Sequence, residues 1–274
     1  MGIRRQRRHR LPPLNKSKAS LCMRVPLSQL LLVAEKAARE AGTFIRKSIL
    51  EDIVINESHH HDLKIQMDVD TQELLTKALL GAFPDHTLLG EEGGEGNGGV
   101  GYEWIVDPID GTVNLAYGIP HFCVSIACQL DTEIVAAVVY DPMRDEMFSA
   151  TKGGGATLNG KPIKVSSRQK IDEAIMALGF SKNRDSIDKC LELYQYYAVQ
   201  ARKLRAMGSA ALDMAYIASA RIDVYIEQGI KIWDIAAGKL LIEEAGGKVV
   251  LKPRAEKHHY HIKAWNGKIE LPFE

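Results

Sequence analysis

The chain has 274 residues, 46% of them hydrophobic and 26% charged, enough to bury a substantial core in one large domain or two closely packed halves. No run of about 18 or more apolar residues occurs, which excludes a membrane-spanning helix and any membrane partner that would need one. The formal net charge is zero, but residues 1–24 hold eight Lys or Arg and no Asp or Glu, so the remainder carries 27 basic against 35 acidic side chains.

That basic stretch, "MGIRRQRRHRLPPLNKSKASLC", has no apolar periodicity and no hydrophobic signal-peptide core. Residues 1–26 are expected to form a disordered extension, or residues 1–22 to lie upstream of a true start at Met23. A targeting segment or a nucleic-acid arm stays open, although nucleic acid is not the partner expected. From Leu27 to Ile49 the positions Leu27, Leu30, Leu31, Ala34, Ala37, Ala38, Ala41 and Ile45 follow a helical period. A polar, His-rich stretch follows, then a second helical pattern from about Val69 to Phe83, ended by Pro84. "HTLLG" and "YEWIVD" read as short strands, and "GGEGNGGVG" between them reads as a loop.

"FCVSIACQL", "EIVAAVVYD" and "EMFSATKGGGATLNGKPI" are β-rich runs, with Asn159-Gly160 as a two-residue hairpin signal. Cys123 and Cys128 fall at odd spacing on the first of them, so they are expected on opposite faces, in core packing. With Cys22 and Cys190 they show no CxxC spacing, which points to reduced thiols and a cytoplasmic location. Helices are expected at about 185–200, 209–219 and 233–245, and strands at about 173–178, 222–227 and 248–251. "KHHYH" (257–261) reads as an exposed or edge-strand segment. This order of elements predicts a layered α/β (α+β) architecture with an antiparallel component in the first half.

Three separated places put carboxylates at strand ends or helix starts: Glu91-Glu92, Asp107 with Asp110, and Asp234. No Lys or Arg lies within "WIVDPIDGTVN" to balance Asp107 and Asp110, and unpaired buried carboxylates are costly. Oxygen-only ligands suit hard divalent cations, Mg2+ above all, and two such ions ~4 Å apart form a clamp for hydrolysing a phosphate ester. Gly111 permits close backbone approach, so the amides of Gly111, Thr112 and Val113 could face a phosphate.

"GEEG" (90–93), "WIVDPIDGTVN" (104–114) and "WDIAAGKLLIEEAGG" (233–247), in this order, resemble the signatures of the inositol monophosphatase family. "NLAYGIPHFCVSIA" is similar to its inositol monophosphatase branch rather than to the fructose-bisphosphatase or bisphosphate-nucleotidase branches. The resemblance spans roughly residues 27–251 and implies an α-β-α-β-α sandwich, a catalytic domain over 27–274, a homodimer, two to three Mg2+ ions and inhibition by Li+. It implies that Glu91, Asp107 and the Ile109 carbonyl hold one Mg2+, that Asp107, Asp110 and Asp234 hold a second, and that Glu91 with waters completes a weaker third site. Asp68 and Thr112 would position or deprotonate the attacking water, and the Gly111 and Thr112 amides would bind phosphate. Asp110, Gly208, Ser209, Ala210 and Glu227 would contact the substrate.

The sequence departs from the family's pattern at Glu57, where a Lys commonly stands, which bears on the third metal site. His59, His60 and His61 nearby are read as solvated rather than as transition-metal ligands. Members of the family also carry a C-terminal helix that is not expected here. The activity implied is hydrolysis of myo-inositol monophosphate. The same chemistry on fructose-1,6-bisphosphate, a nucleotide bisphosphate, histidinol phosphate or glycerol phosphate is the alternative. An RNA or transcription-complex binding role through the basic arm ranks behind both.

Overall fold

A computed structural model of the chain describes residues 24–50, 55–59, 62–94, 96, 101–181 and 183–272, with side chains described from Ile65 onward after residue 50. Most of the basic extension, His60, His61 and the centre of the Gly-rich loop lie outside the described residues. Glu57 and His59 are described by backbone alone.

In chain order the first half comprises α1 (Leu27–Ser48), a small hairpin β1 (Ile55–His59) and β2 (Asp62–Ile65), α2 (Gln66–Ala82), β3 (Thr87–Gly90), β4 (Tyr102–Asp110) and α3 (Thr112–Ala116). It continues through β5 (Cys123–Leu130), β6 (Glu133–Asp141), β7 (Glu146–Thr151), β8 (Gly155–Leu158) and β9 (Lys161–Ile163). The second half comprises β10 (Ile175–Phe180), α4 (Arg184–Ala198), β11 (Lys203–Arg205), α5 (Ala210–Ala218), β12 (Val224–Lys231), α6 (Ile232–Glu244), β13 (Lys248–Pro253) and β14 (His259–Trp265). Strands β3 to β9 form one sheet in sequence order, antiparallel except for the β3–β4 pair. Asn159-Gly160 closes the β8–β9 hairpin. The second sheet has the order β11-β10-β12-β14-β13, with β10 parallel to both of its neighbours.

Three apolar clusters fix the layering. One face of the larger sheet packs Trp104, Val106, Val124 and Val138 against Leu30, Ala34, Ala41 and Leu75 of α1 and α2. The other face packs Ile105, Ala127 and Val139 against α5 and α6, which also meet Tyr225 and Ala264 of the smaller sheet. The outer face of that smaller sheet receives Cys190, Leu193 and Tyr197 of α4. The result is α-β-α-β-α. All nine residues of α5 are buried, as a middle-layer helix requires: it has no side free to be polar. Cys123 and Cys128 enter opposite clusters, as their odd spacing dictates.

Two expectations change. "KHHYH" is not an edge: Lys257 is exposed, but His259, Tyr260 and His261 are half-buried in β14, which lies between β12 and β13 and pairs with both. Its inner face carries Tyr260, Ile262 and Ala264, alternating with His261, Lys263 and Trp265, and the polar residues among them concealed a central strand. The short β11 was not expected at all, because a three-residue run carries no period. Among the described residues no helix is long and apolar enough to cross a membrane.

Candidate metal and phosphate site

In a regular strand, residues three apart point to opposite faces, so Asp107 and Asp110 should diverge. They converge because β4 bulges: Asp107 pairs with Ser125 and Asp110 with Cys123, three steps of β4 against two of β5. Asp107 Oδ1 accepts from the Ile109 amide at 3.0 Å, which fixes the turn. Asp110 Oδ2 accepts from Ser209 Oγ at 2.7 Å and from the Ala211 amide at 2.6 Å, so the start of α5 holds it. Asp234 comes from the first turn of α6, where its Oδ2 accepts from the Lys231 amide at 3.1 Å. One carboxylate oxygen from each of Asp107, Asp110 and Asp234 lies within 4.8 Å of the other two. Glu91 arrives from the turn after β3, which runs parallel to β4 and ends beside it, and bonds to Asp107.

These groups repel one another away from bulk water. Burial first, and neighbouring carboxylates second, hold Asp107 and Asp234 well above the usual carboxylate range. Burial raises Glu91 to about 7, with Lys231 opposing the rise. Burial also raises Asp110 to about 6, against the hydrogen bonds from Ser209 and Ala211. The cleft they share, about 470 Å³, has no Lys, Arg or His lining it among the described residues. An all-oxygen donor set short of positive charge fits hard divalent cations, so Asp107, Asp110 and Asp234 with Glu91 are the residues that could hold them.

Gly111 follows at φ +104°, a left-handed conformation in which a side chain is strained, and a Cβ there would also meet His121 O and Phe122 Cβ, each at 3.0 Å. It turns the chain into α3, whose first amides have no preceding helical carbonyls to bond. Thr112 Oγ1 lies 3.0 Å from Ile109 O and 3.2 Å from Asp68 Oδ1. Asp68 sits on α2, where its other oxygen accepts from the Ile65 amide at 3.2 Å. That contact starts α2 at Gln66, ahead of the expected Val69, because the capping carboxylate draws in one more turn. Burial raises Asp68 to about 7, with the Ile65 amide opposing and Glu91 and Glu92 adding to the rise.

Gly208, Ser209, Ala210 and Glu227 line the same cleft, together with Leu178, Phe180, Met207 and Ile230. The residues proposed from the sequence for the metal, phosphate and substrate contacts therefore lie together, with Asp68 joined to the cleft through Thr112. Several neighbours were missed. Asn114, inside the quoted motif, bonds His121 O and Met207 O at 2.8 Å each and ties the Gly111-Thr112 turn to the 206–208 segment. Lys231, three residues before Asp234, is the cation that acts on Glu91, and its Nζ lies 5.1 Å from the Trp233 ring centre. Asp213, buried at the cleft wall, has its Oδ1 3.4 Å from His121 Nε2. No local signal could have joined those two residues, because only the fold brings them together.

A model of the inositol monophosphatase family matches residues 26–263. The Pseudomonas aeruginosa protein named Nus factor SuhB is 42% identical over 231 residues, covering 81% of this chain and 85% of that protein. The solved inositol monophosphatase of Anabaena (Nostoc) is similar with a TM-score of 0.78 and 33% identity, covering 88% of this chain and 92% of that one. A Staphylococcus aureus inositol monophosphatase-II, solved with inositol monophosphate bound, gives 0.75 and 26%, covering 88% and 90%.

Proposed function

The chain belongs to the inositol monophosphatase family, and from that premise we propose that it is a Mg2+-dependent phosphate monoester hydrolase whose substrate is myo-inositol monophosphate. The observation that carries this reading is the convergence of Asp107, Asp110 and Asp234 within 4.8 Å beside the Gly111-Thr112 turn. Family membership supports a metal-dependent phosphatase; the ion, the count of two to three, Li+ inhibition and the alcohol are our reading. Residues 27–274 form the catalytic unit, and a homodimer is the assembly proposed.

When bound, the cations supply positive charge that neutralises the ester oxygens and eases attack by water. Asp107, Asp110, Asp234 and Glu91 would hold them, with the Ile109 carbonyl as a further oxygen. The amides of Gly111 and Thr112 bind the phosphate. Asp68, raised to about 7 by burial, is poised near neutrality to take a proton from the attacking water through Thr112 Oγ1. Glu227 accepts from a hydroxyl of the alcohol. Bisphosphate substrates suit the cleft less well, since among the described residues its lining offers no cation for a second phosphate and includes Glu227 and Asp213.

Phosphate release across a panel of these esters, with and without Mg2+ and Li+, tests the reading. Metal-dependent release that is fastest with inositol phosphate is expected, and the assignment fails if inositol phosphate is the slowest. The name of the Pseudomonas relative, Nus factor, favours a second reading in which this chain also acts as a Nus factor, with residues 1–24 contacting RNA. Salt-sensitive RNA binding that vanishes on deleting residues 1–22 would support it; binding unchanged by the deletion removes it.

A further inference from the structure

Glu227 stands on β12, and the parallel strand β10 places Gly179 directly opposite it. Tyr225, two residues earlier on β12 and therefore on the same face, is buried and donates its hydroxyl to Glu227 Oε2. A Cβ at position 179 would overlap that same Oε2 and lie 3.0 Å from the Tyr225 hydroxyl. Gly179 is thus a notch that receives one carboxylate oxygen, and Tyr225 is the bond that keeps it there. Glu227 itself lines the cleft, together with Leu178, Phe180, Met207 and Ile230. A single fixed acceptor among apolar side chains suits an alcohol that offers a hydroxyl at a set distance from its phosphate and C–H faces around it.

We propose that Gly179 and Tyr225 are positioning residues that set selectivity for hydroxylated phosphate esters by fixing the orientation of Glu227. This rests on the phosphatase reading above, with Glu227 as the alcohol contact. Burial, and then the Glu227 carboxylate, push the Tyr225 phenol well above its usual range, which favours the protonated, donating form. Neither residue touches the reacting phosphate. Their loss is felt through Glu227 alone.

The test is steady-state kinetics at saturating Mg2+ on inositol 1-phosphate and on phenyl phosphate, which has no hydroxyl. The proteins compared are wild type, Tyr225→Phe, Gly179→Ala, Glu227→Gln and the Tyr225→Phe/Glu227→Gln double variant. The ratio of kcat/KM for the inositol ester to that for phenyl phosphate is expected to fall about tenfold in each single variant. The loss should lie mainly in KM for the inositol ester, because the contact is already made when substrate is bound. The double variant should lose no more than Glu227→Gln alone, since Tyr225 acts only through that carboxylate. An unchanged ratio in Tyr225→Phe, or losses that multiply in the double variant, overturns the proposal. Should Gly179→Ala fail to fold, Tyr225→Phe, which keeps the ring, carries the test. Mg2+-dependent release from both esters without preference in wild type leaves the phosphatase reading standing and overturns this one. No Mg2+-dependent release from either overturns the phosphatase reading itself.

Discussion

At Asp107 the same carboxylate is a neighbour of Glu91, Asp110 and Asp234, and its burial makes a proton or a cation the alternative to bare repulsion. Replacing it with Asn keeps the shape and removes the charge. Asp107→Asn and Asp234→Asn are each expected to lower kcat by about a thousandfold or more and to weaken Mg2+ binding, measured by phosphate release and by calorimetric titration. Full turnover in Asp107→Asn without metal would remove the two-metal account. Thr112 has one proton to share between Ile109 O and Asp68 Oδ1. Thr112→Ala should lower kcat about a hundredfold with little change in KM, and Thr112→Ser should restore most of it. A loss confined to KM would mean that the hydroxyl binds substrate and does not act on the water.

Among the elements, the two buried helices of the middle layer set the tightest constraint. Gly238 of α6 faces Met214 of α5, and a Cβ there would lie 2.5 Å from Met214 Cβ and 2.9 Å from its sulfur. Gly81 of α2 has nothing within 4 Å of the same atom. Helix propensity alone favours Ala at both positions by up to about 1 kcal/mol. Gly81→Ala is therefore expected to raise the Tm slightly, while Gly238→Ala lowers it through an overpacking cost of about 1–3 kcal/mol in stability. A matched rise in both, in thermal unfolding followed by circular dichroism, would show that α5 and α6 yield without cost. The bulge in β4 belongs to this scale too. It converts a spacing that should separate Asp107 from Asp110 into one that joins them.

For the whole molecule, the acidic site makes folding and metal binding compete with protons. Asp68 and Glu91 are raised to about 7 and Asp110 to about 6, so the folded chain keeps protons that the unfolded chain releases from about pH 4 upward. A state that binds more protons is favoured at low pH, so the stability of the metal-free protein due to these groups falls as pH rises from about 4 to about 7. In EDTA the Tm is expected to be lower at pH 7.5 than at pH 5.5. Millimolar Mg2+ should raise it more at pH 7.5, where the carboxylates are free of protons to bind it. A Mg2+-induced rise that is larger at pH 5.5 would refute the assignment of these groups as ligands.

The sequence by itself determined the carboxylate chemistry of the site, the order of the acidic motifs and nearly every long element, because those rest on local chemistry: a helical period, a Gly at the turn, carboxylates after apolar runs. Helices α1, α2, α4, α5 and α6 were legible to within a few residues, and so was the turn at Gly111. Three things were decided only in the tertiary structure. The polar outward face of β14 hid a central strand, since only pairing to β12 and β13 reveals its place. The notch at Gly179 exists only because a parallel strand sets it against Glu227. The convergence of Asp107, Asp110 and Asp234 needs a bulge and a helix start far away in the chain. Residue identity and local period can be read along a chain, whereas register and burial, which set both geometry and charge, come from partners distant in it.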